Sequence, residues 1–167
     1  MGISLTDINT EKIKVGILGC TGAVGQKLIS LLESHPFFEI TEIAASENSA
    51  GKLYKEAVSW REANPIPQSI ENLTVKKCLP DLDCKILFSG LDSNVAGVIE
   101  ETMAKAGYIV VSNSKNHRMA DDVPLIIPEV NAAHFKIIEH QKKRWNSGGF
   151  IVTNPNCSTI VMVLALY

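Results

Sequence analysis

The sequence lacks the features that mark several large classes of protein. Its 167 residues carry a net charge of only −2, without an arginine-rich stripe or a basic tail. Nothing therefore favours nucleic acid or an anionic membrane as a partner. The longest apolar run is far shorter than the roughly 20 residues that a membrane-spanning helix needs. The N-terminal residues also lack the basic stretch and apolar core of a signal peptide. We expect a cytoplasmic protein that binds neither nucleic acid nor membrane.

Cysteine is scarce, and its spacing is not that of a metal or disulfide site. The four cysteines show no paired C-x-x-C spacing: Cys20, Cys78, Cys84 and Cys157. This argues against a disulfide scaffold or a zinc knuckle, and no metal site is predicted. We interpret Cys20 and Cys78 as structural thiols.

What the sequence does contain is a regular alternation of strand-like and helix-like segments, which is typical of a parallel α/β sheet. The predicted strands are 13–18, 39–45, 73–78, 84–89, 108–112, 125–127 and 150–153. Helices are predicted from Ala23 to His35, from Val95 to Ala106 behind a cap at Ser93 or Asn94, and after a cap at Asn131. Residues 52–71 are predicted to form a long surface loop. We expect a Rossmann-like, doubly wound, mostly parallel sheet.

Three glycines follow the first predicted strand at intervals of three residues. Gly19, Gly22 and Gly25 lie between that strand and an amphipathic helix. Glycine here allows a tight turn and lets the backbone approach a pyrophosphate at the N-terminus of the helix. The spacing G-x-x-G-x-x-G is a variant of the common dinucleotide fingerprint, and it predicts a nucleotide site.

The end of the second predicted strand bears on the choice of cofactor. Glu47 has the position of the acidic residue that binds the 2′-hydroxyl of NAD. The first basic residue after it, which would favour the 2′-phosphate of NADP, is Lys52. The alternative for Glu47 is an exposed loop carboxylate. The sequence therefore leaves NADP and NAD open.

Cys157 lies between the strand-like residues 150–153 and an apolar run, 160–166, which we interpret as the opening of a buried helix. A thiol at the start of a helix meets unpaired N–H groups and the positive end of the helix dipole. Both stabilise the thiolate, so Cys157 is a candidate nucleophile for attack on a carbonyl. The preceding Asn156 either helps to hold an oxyanion or substrate, or only shapes the turn.

Taken together, these residues resemble aspartate-semialdehyde dehydrogenase of the fungal and archaeal type. The matching stretches follow the family's order: 19–26, 88–92, 112–118, 122–131 and the Asn-Cys-Ser-Thr turn at 156–159. The resemblance implies NADP-dependent interconversion of L-aspartate 4-semialdehyde plus phosphate and 4-aspartyl phosphate through a cysteine thioester. Such a step belongs to the aspartate-derived synthesis of lysine, threonine and methionine.

The resemblance also implies a set of site residues. Cys157 is implied as the catalytic nucleophile. Cofactor contacts are implied at Gly19, Thr21, Gly22, Ala23, Val24, Gly25, Ser46, Ser89 and Gly90. Contacts with the phosphate or substrate anion are implied at Asn113, Lys115, Arg118 and Asn156. A fork of guanidinium donors suits a phosphate, whereas a surface salt bridge with Asp121 or Asp122 is the alternative for Arg118.

The chain departs from the family in two respects. Family members usually carry a basic residue near the Ser46 loop, where this chain has Glu47-Asn48, so NAD remains an alternative cofactor. The family's catalytic histidine and substrate-binding arginine come from a second domain. We interpret residues 1–156 as the NAD(P)-binding domain and 157–167 as the start of a truncated catalytic and dimerisation domain. We expect an apolar surface at 157–167, a homo-oligomer or a complementing C-terminal half, and little or no activity of the chain alone.

Alternative functions remain open at this stage. A malonyl-CoA or other acyl-CoA reductase of the same family would share the mechanism, and N-acetyl-glutamyl-phosphate reductase has a different cysteine turn. A non-catalytic module would bind a dinucleotide and keep Cys157 as an inert or redox-sensing thiol. A cysteine hydrolase would leave the glycine loop without a role.

Overall fold

The computed structural model describes residues 11–167, which form a fully parallel sheet. Its strands are β1 (Ile13–Leu18), β2 (Phe38–Ala45), β3 (Lys76–Lys77), β4 (Ile86–Ser89), β5 (Ile109–Ser112) and β6 (Phe150–Thr153). They lie in the order β3-β2-β1-β4-β5-β6, and every neighbouring pair is parallel. The winding direction reverses between β1 and β4, and in open α/β sheets ligands bind at the carboxyl ends of the strands at such a reversal. The predicted Rossmann-like fold is confirmed.

Helices connect these strands and cover both faces of the sheet. They are α1 (Ala23–Leu32), α2 (Tyr54–Ala57), α3 (Gln68–Glu71), α4 (Ser93–Lys105), α5 (Pro128–Asn131), α6 (Ile138–Trp145) and α7 (Cys157–Leu166), with a 3-10 helix at Ala132–Ile137. On one face, Ile29 of α1 shares a buried cluster with Ile17 of β1. On the other face, Met103 of α4 shares a second cluster with Leu87 of β4. Because both faces are covered, the last four residues of the central strand β1, Val15 to Leu18, are all buried.

Several predicted elements differ from the observed ones. The apolar residues 125–127 form a single bridge, between Leu125 and Thr153, instead of a strand. The predicted loop at 52–71 contains α2 and α3 and buries Tyr54 and Ile70. The cap of α4 is Asp92, whose carboxylate accepts the backbone N–H of Asn94 at 2.8 Å, and not Ser93 or Asn94 as the sequence predicted.

Helix α7 forms where the sequence predicted a helix, but it is not buried within residues 11–167. None of its residues is buried there, and Val161 and Leu166 are 71% and 81% exposed. The apolar surface expected at 157–167 is therefore present. An apolar face of this kind marks an interaction surface. Among residues 11–167, no helix is both long enough and apolar enough to cross a bilayer.

Candidate functional site

The turn between β1 and α1 is built from close backbone contacts that only glycine permits. Gly19 has a φ of +76°, in the left-handed region that favours glycine. A Cβ at Gly25 would lie 2.1 Å from the carbonyl oxygen of Gly19. A Cβ at Gly90, in the turn after β4, would lie 2.8 Å from the backbone nitrogen of Gly25. The two turns are therefore in direct backbone contact at the point where the winding direction reverses.

Two side chains that the sequence did not single out brace this glycine turn. The buried Gln26 donates to the carbonyl of Thr21 at 2.9 Å and to that of Ser59 at 3.2 Å. Its own carbonyl oxygen accepts the backbone N–H of Arg61 at 2.8 Å. The hydroxyl of Tyr54 donates to the carbonyl of Cys20 at 2.8 Å. The segment after β2, predicted as a surface loop, thus supports the predicted nucleotide site.

The N-terminus of α1 opens into a cavity of about 480 Å³. Seven of the predicted site residues line it: Gly22, Ala23, Val24, Gly90, Asn113, Lys115 and Arg118. Gly22 is the N-cap of α1, and the first turn of the helix carries no acidic residue. The first N–H groups of a helix have no partner inside it, so they and the helix dipole favour an anion here. Together with the glycine contacts, this cradle fits the pyrophosphate of a dinucleotide.

Arg118 lies in the loop that closes this cavity on the β5 side. Its Nη2 donates to the carbonyl of Asn113 at 2.8 Å. Its Nε is buried without a hydrogen-bond partner among residues 11–167. Neither salt bridge considered as the alternative, with Asp121 or with Asp122, is formed within those residues. Asp122 instead pairs with Arg144 at 3.0 Å. The guanidinium therefore keeps donor capacity for a ligand.

A second cavity, of about 370 Å³, lies at the carboxyl end of β2. It is mostly apolar, and its lining includes Ser46, Glu47, Lys77, Cys78, Leu91 and Val95. Leu91 also lines the cavity at α1, so the two cavities adjoin. Nζ of Lys77 lies 2.9 Å from Oε1 of Glu47, and this contact holds the pKa of Glu47 below its usual range. Lys77 carries no local sequence signal, because only the pairing of β3 with β2 brings it to Glu47.

Cys157 is exposed and is the first residue of α7. The side chain of Asn156 caps that helix, because its Oδ1 accepts the backbone N–H of Thr159 at 2.8 Å. Asn156 therefore shapes the turn, as one of its two interpretations required. The side chain of Asn154 donates to Oδ1 of Asn113 at 3.1 Å and so joins the cysteine turn to the Arg118 loop. Neither Cys157 nor Asn156 lines either of the two cavities.

The other three cysteines are chemically different from Cys157. Burial raises the pKa of Cys20 to about 12, that of Cys78 to about 11 and that of Cys84 to about 12. These thiols stay protonated at neutral pH and are poor nucleophiles. This supports the interpretation of Cys20 and Cys78 as structural thiols.

The remaining predicted residues lie next to the cavities and not in their linings. Gly19, Thr21 and Gly25 form the turn beneath the cavity at α1. Ser89 is fully buried at the end of β4, where its carbonyl accepts the backbone N–H of Asn113 at 3.1 Å. Within residues 11–167, no group of three or more His, Cys, Asp or Glu side chains is placed to hold a metal ion.

Known proteins resemble this chain in sequence. The family described as "Semialdehyde dehydrogenase, NAD binding domain" matches residues 14–138. An aspartate-semialdehyde dehydrogenase of Archaeoglobus fulgidus is 48% identical over 156 residues, which cover 93% of this chain and 46% of the relative. One from Candida albicans is 45% identical over 161 residues, covering 92% and 44%. The chain thus spans less than half the length of these curated relatives.

Solved structures agree with the sequence matches. A crystal structure of aspartate-semialdehyde dehydrogenase with NADP from Candida albicans superposes with a TM-score of 0.86 at 43% identity, covering 93% of this chain and 46% of that one. An aspartate-semialdehyde dehydrogenase II from Vibrio cholerae gives 0.69 at 28% identity, covering 93% and 46%. The resemblance inferred from the sequence is confirmed.

Proposed function

The chain belongs to the family of semialdehyde dehydrogenase NAD-binding domains, and from this premise we propose that it is the dinucleotide-binding part of an aspartate-semialdehyde dehydrogenase. In the proposed reaction, L-aspartate 4-semialdehyde, phosphate and NADP⁺ give 4-aspartyl phosphate, NADPH and a proton. The archaeal and fungal relatives support this substrate class. The observation that carries the proposal is the pair of adjoining cavities along the carboxyl ends of β2, β1 and β4.

The cavities suggest where each part of the cofactor binds. We assign the pyrophosphate to the N-terminus of α1, where Gly22, Ala23 and Val24 present backbone to the cavity. We assign the adenosine to the apolar cavity at Ser46. Lys77 brings a cation to that cavity, which offsets the charge of Glu47 and favours the 2′-phosphate of NADP. NAD is the alternative cofactor.

The catalytic residues are proposed on the geometry of the turns. Cys157, exposed at the start of α7, forms the thioester with the substrate. Arg118, Lys115 and Asn113 hold the phosphate in the cavity next to α1. When bound in the two cavities, NADP would supply the hydride transfer between the substrate and the cofactor. The contact between Asn154 and Asn113 keeps the cysteine turn beside the phosphate site.

We propose the same domain division as the sequence predicted, with 1–156 binding the nucleotide and 157–167 beginning the catalytic portion. The relatives are more than twice as long as the matched region, and α7 presents an uncovered apolar face. A second copy of the chain or a complementing C-terminal half is the proposed cover of that face. We propose the cytoplasm as the location, because the reaction belongs to amino-acid biosynthesis.

One observation favours a second candidate function. Neither Cys157 nor Asn156 lines either of the two cavities described above, as expected of a non-catalytic module that binds a dinucleotide. Such a module and the enzyme portion share the nucleotide site but differ in the reactivity of Cys157. The rate at which iodoacetamide modifies Cys157 distinguishes the two functions.

Calorimetric titration of the chain with NADP tests the proposed nucleotide site, and Gly22 offers a sharp variant. Gly22 has an extended backbone, with φ of −76° and ψ of 164°. A Cβ there would meet its nearest neighbour, the carbonyl oxygen of Gly19, at 3.4 Å, so side chains are tolerated. Gly22→Asp caps α1 but places a carboxylate in the anion site. Gly22→Ser caps the helix without a charge.

We expect saturable binding of NADP to the unmodified chain and to Gly22→Ser. For Gly22→Asp we expect affinity to fall by at least about tenfold, because the carboxylate repels the pyrophosphate, without a loss of thermal stability. Equal affinity of all three proteins for NADP would show that the pyrophosphate does not bind at the N-terminus of α1. Absence of binding to the unmodified chain would contradict the proposed function.

A further inference from the structure

A fully buried carboxyl group lies directly behind the proposed phosphate site. Glu100 projects from α4 towards the carboxyl ends of β4 and β5 and is 0% exposed. The hydroxyl of Ser112 lies 2.8 Å from its Oε1 and 2.9 Å from its Oε2. Nε2 of His117 lies 3.7 Å from Oε2. Three elements therefore converge on one carboxyl group: α4, β5 and the loop after β5.

This glutamate is costly to the fold. Burial raises the pKa of Glu100, against the opposing effects of the Ser89 and Ser112 hydroxyls and of His117. A buried acid that no packing argument requires is a candidate for a functional role. Neither the proposed nucleophile nor the cofactor site uses it.

The contacts of Glu100 lead into the loop that binds the anion. The Ser112 hydroxyl that faces Glu100 also accepts the backbone N–H of Ser114 at 3.0 Å. His117, the second neighbour of Glu100, directly precedes Arg118 in the chain. Glu100 thus contacts this loop at both ends, just before Asn113 and just before Arg118.

The middle of the loop is fixed separately. The side-chain amide of Asn116 donates to the carbonyl of Ser93 at 2.9 Å, which ties the loop to the start of α4. Across the loop, Arg118 donates to the carbonyl of Asn113 at 2.8 Å. With Asn116 tied to α4, the position of the Arg118 side chain therefore depends on where its neighbour His117 is held.

We propose that Glu100 is a positioning residue, which fixes Ser112 and His117 so that Asn113 and Arg118 face the phosphate cavity. This inference rests on the proposed function, because the ligand of the loop is taken to be the substrate phosphate. Glu100 does not touch that ligand; it acts through the loop.

Glu100→Gln is the direct test, because it keeps the shape of the side chain and an oxygen for the Ser112 hydroxyl but removes the acidic group near His117. The next residue on α4 offers a matched control. Glu101 is partly exposed and pairs with Lys105 at 2.7 Å, so Glu101→Gln makes the same substitution outside the buried cluster. His117→Gln removes the other partner and serves if the Glu100 variant does not fold.

Three readouts are measured on each protein: titration with inorganic phosphate by nuclear magnetic resonance, titration with ADP by the same method, and amide hydrogen exchange of residues 113–118. For Glu100→Gln and His117→Gln we expect weaker phosphate binding by about twofold to tenfold, as for the loss of one hydrogen-bonded contact. We also expect faster exchange in the loop at unchanged affinity for ADP. Glu101→Gln should match the unmodified chain in all three measurements.

Unchanged phosphate binding and unchanged exchange in Glu100→Gln would overturn the inference. So would an equal loss of phosphate and ADP binding with a lower melting temperature, because that result indicates a general structural role. If the unmodified chain binds ADP but not phosphate, the anion site of the proposed function fails. The exchange of residues 113–118 then decides alone whether Glu100 holds the loop.

Discussion

Lys77 and Glu47 form an ion pair across the rim of the cavity at the end of β2, with Nζ and Oε1 2.9 Å apart. The two residues are 30 positions apart in the chain, and the parallel pairing of β3 with β2 brings them together. The presence of Glu47 therefore does not by itself indicate binding of the 2′-hydroxyl of NAD, because the ammonium group of Lys77 lies beside its carboxylate. In the proposed complex with NADP, Glu47 and the 2′-phosphate would compete for the same ammonium group.

The first prediction follows from that competition. We expect Glu47→Gln to tighten the binding of NADP, since Lys77 is then free for the 2′-phosphate. Lys77→Gln should weaken NADP binding by about twofold to tenfold, the range of one charge-assisted contact. Calorimetric dissociation constants for NADP and NAD check this, with NAD expected to change little. A parallel change in NAD affinity would contradict a role at the 2′-phosphate.

The second prediction concerns thiol reactivity. Because burial raises the pKa of Cys20, Cys78 and Cys84 to about 11 or 12, these thiols stay protonated at mildly alkaline pH. Cys157 is exposed at the start of a helix. We expect iodoacetamide at about pH 8, near the ordinary range of a thiol pKa, to modify Cys157 first. Peptide mass spectrometry over time measures the order. Slow modification of Cys157 would favour the non-catalytic module.

The third prediction tests the brace on the glycine turn. Gln26 makes hydrogen bonds to Thr21, Ser59 and Arg61 from a buried position. Gln26→Ala should lower the free energy of unfolding by about 1–3 kcal/mol, because it leaves buried backbone groups without partners. The control is Lys27→Ala at the neighbouring residue, which makes an exposed ion pair with Glu62. Its free energy of unfolding should change by less than about 1 kcal/mol. Urea denaturation measures both variants. Equal effects would contradict the bracing role.

The fourth prediction is a dependence of stability on pH. The folded-state pKa of Glu100 is raised by burial, so folding favours its protonated form. The resulting stability is fully present below the unfolded-state pKa and is lost as the pH rises through the folded-state value. Glu100→Gln removes this dependence. Relative to the unmodified chain, the variant should therefore be more stable at about pH 8 than at about pH 4, two values on either side of the ordinary pKa of a glutamate.

Urea denaturation at both pH values measures that difference. Glu101→Gln is again the control, because the Lys105 contact lowers the pKa of Glu101 and the trend in its variant should have the opposite sign. A stability difference for Glu100→Gln that is the same at both pH values would show that folding does not raise the pKa of Glu100, which would contradict this prediction.

Much of the fold could be predicted because the strands and turns carry strong local signals. The bounds of β1 and β6 match the predicted 13–18 and 150–153, and α1 begins at Ala23 as expected. The strand predicted at 125–127 was wrong, because an apolar run alone does not show which groups its backbone hydrogen-bonds. There the side chain of Asn131 accepts the backbone N–H of Ile127 and donates to the carbonyl of Leu125. Those groups are therefore not free for a regular strand.

The site was predictable only where residues are close in the chain. The glycine turn and the Arg118 loop carry their own signals, and the cavity at α1 brings them together. Lys77 and Glu100 carry no local signal, because each acquires its partners from distant segments. The roles of the individual site residues stay predictions.

An amide chemical-shift map of the chain on titration with NADP tests the proposed nucleotide site most directly. We expect saturable shifts at the two turns, around Gly22 and Gly90, together with shifts around Ser46 and Leu91 in the cavity at β2. Loss of these shifts in Gly22→Asp would support the assignment of the pyrophosphate to the N-terminus of α1. Shifts confined to α7, or no shifts at saturating NADP, would contradict the claim that this chain binds the dinucleotide at the carboxyl ends of β1 and β4, where the winding direction reverses.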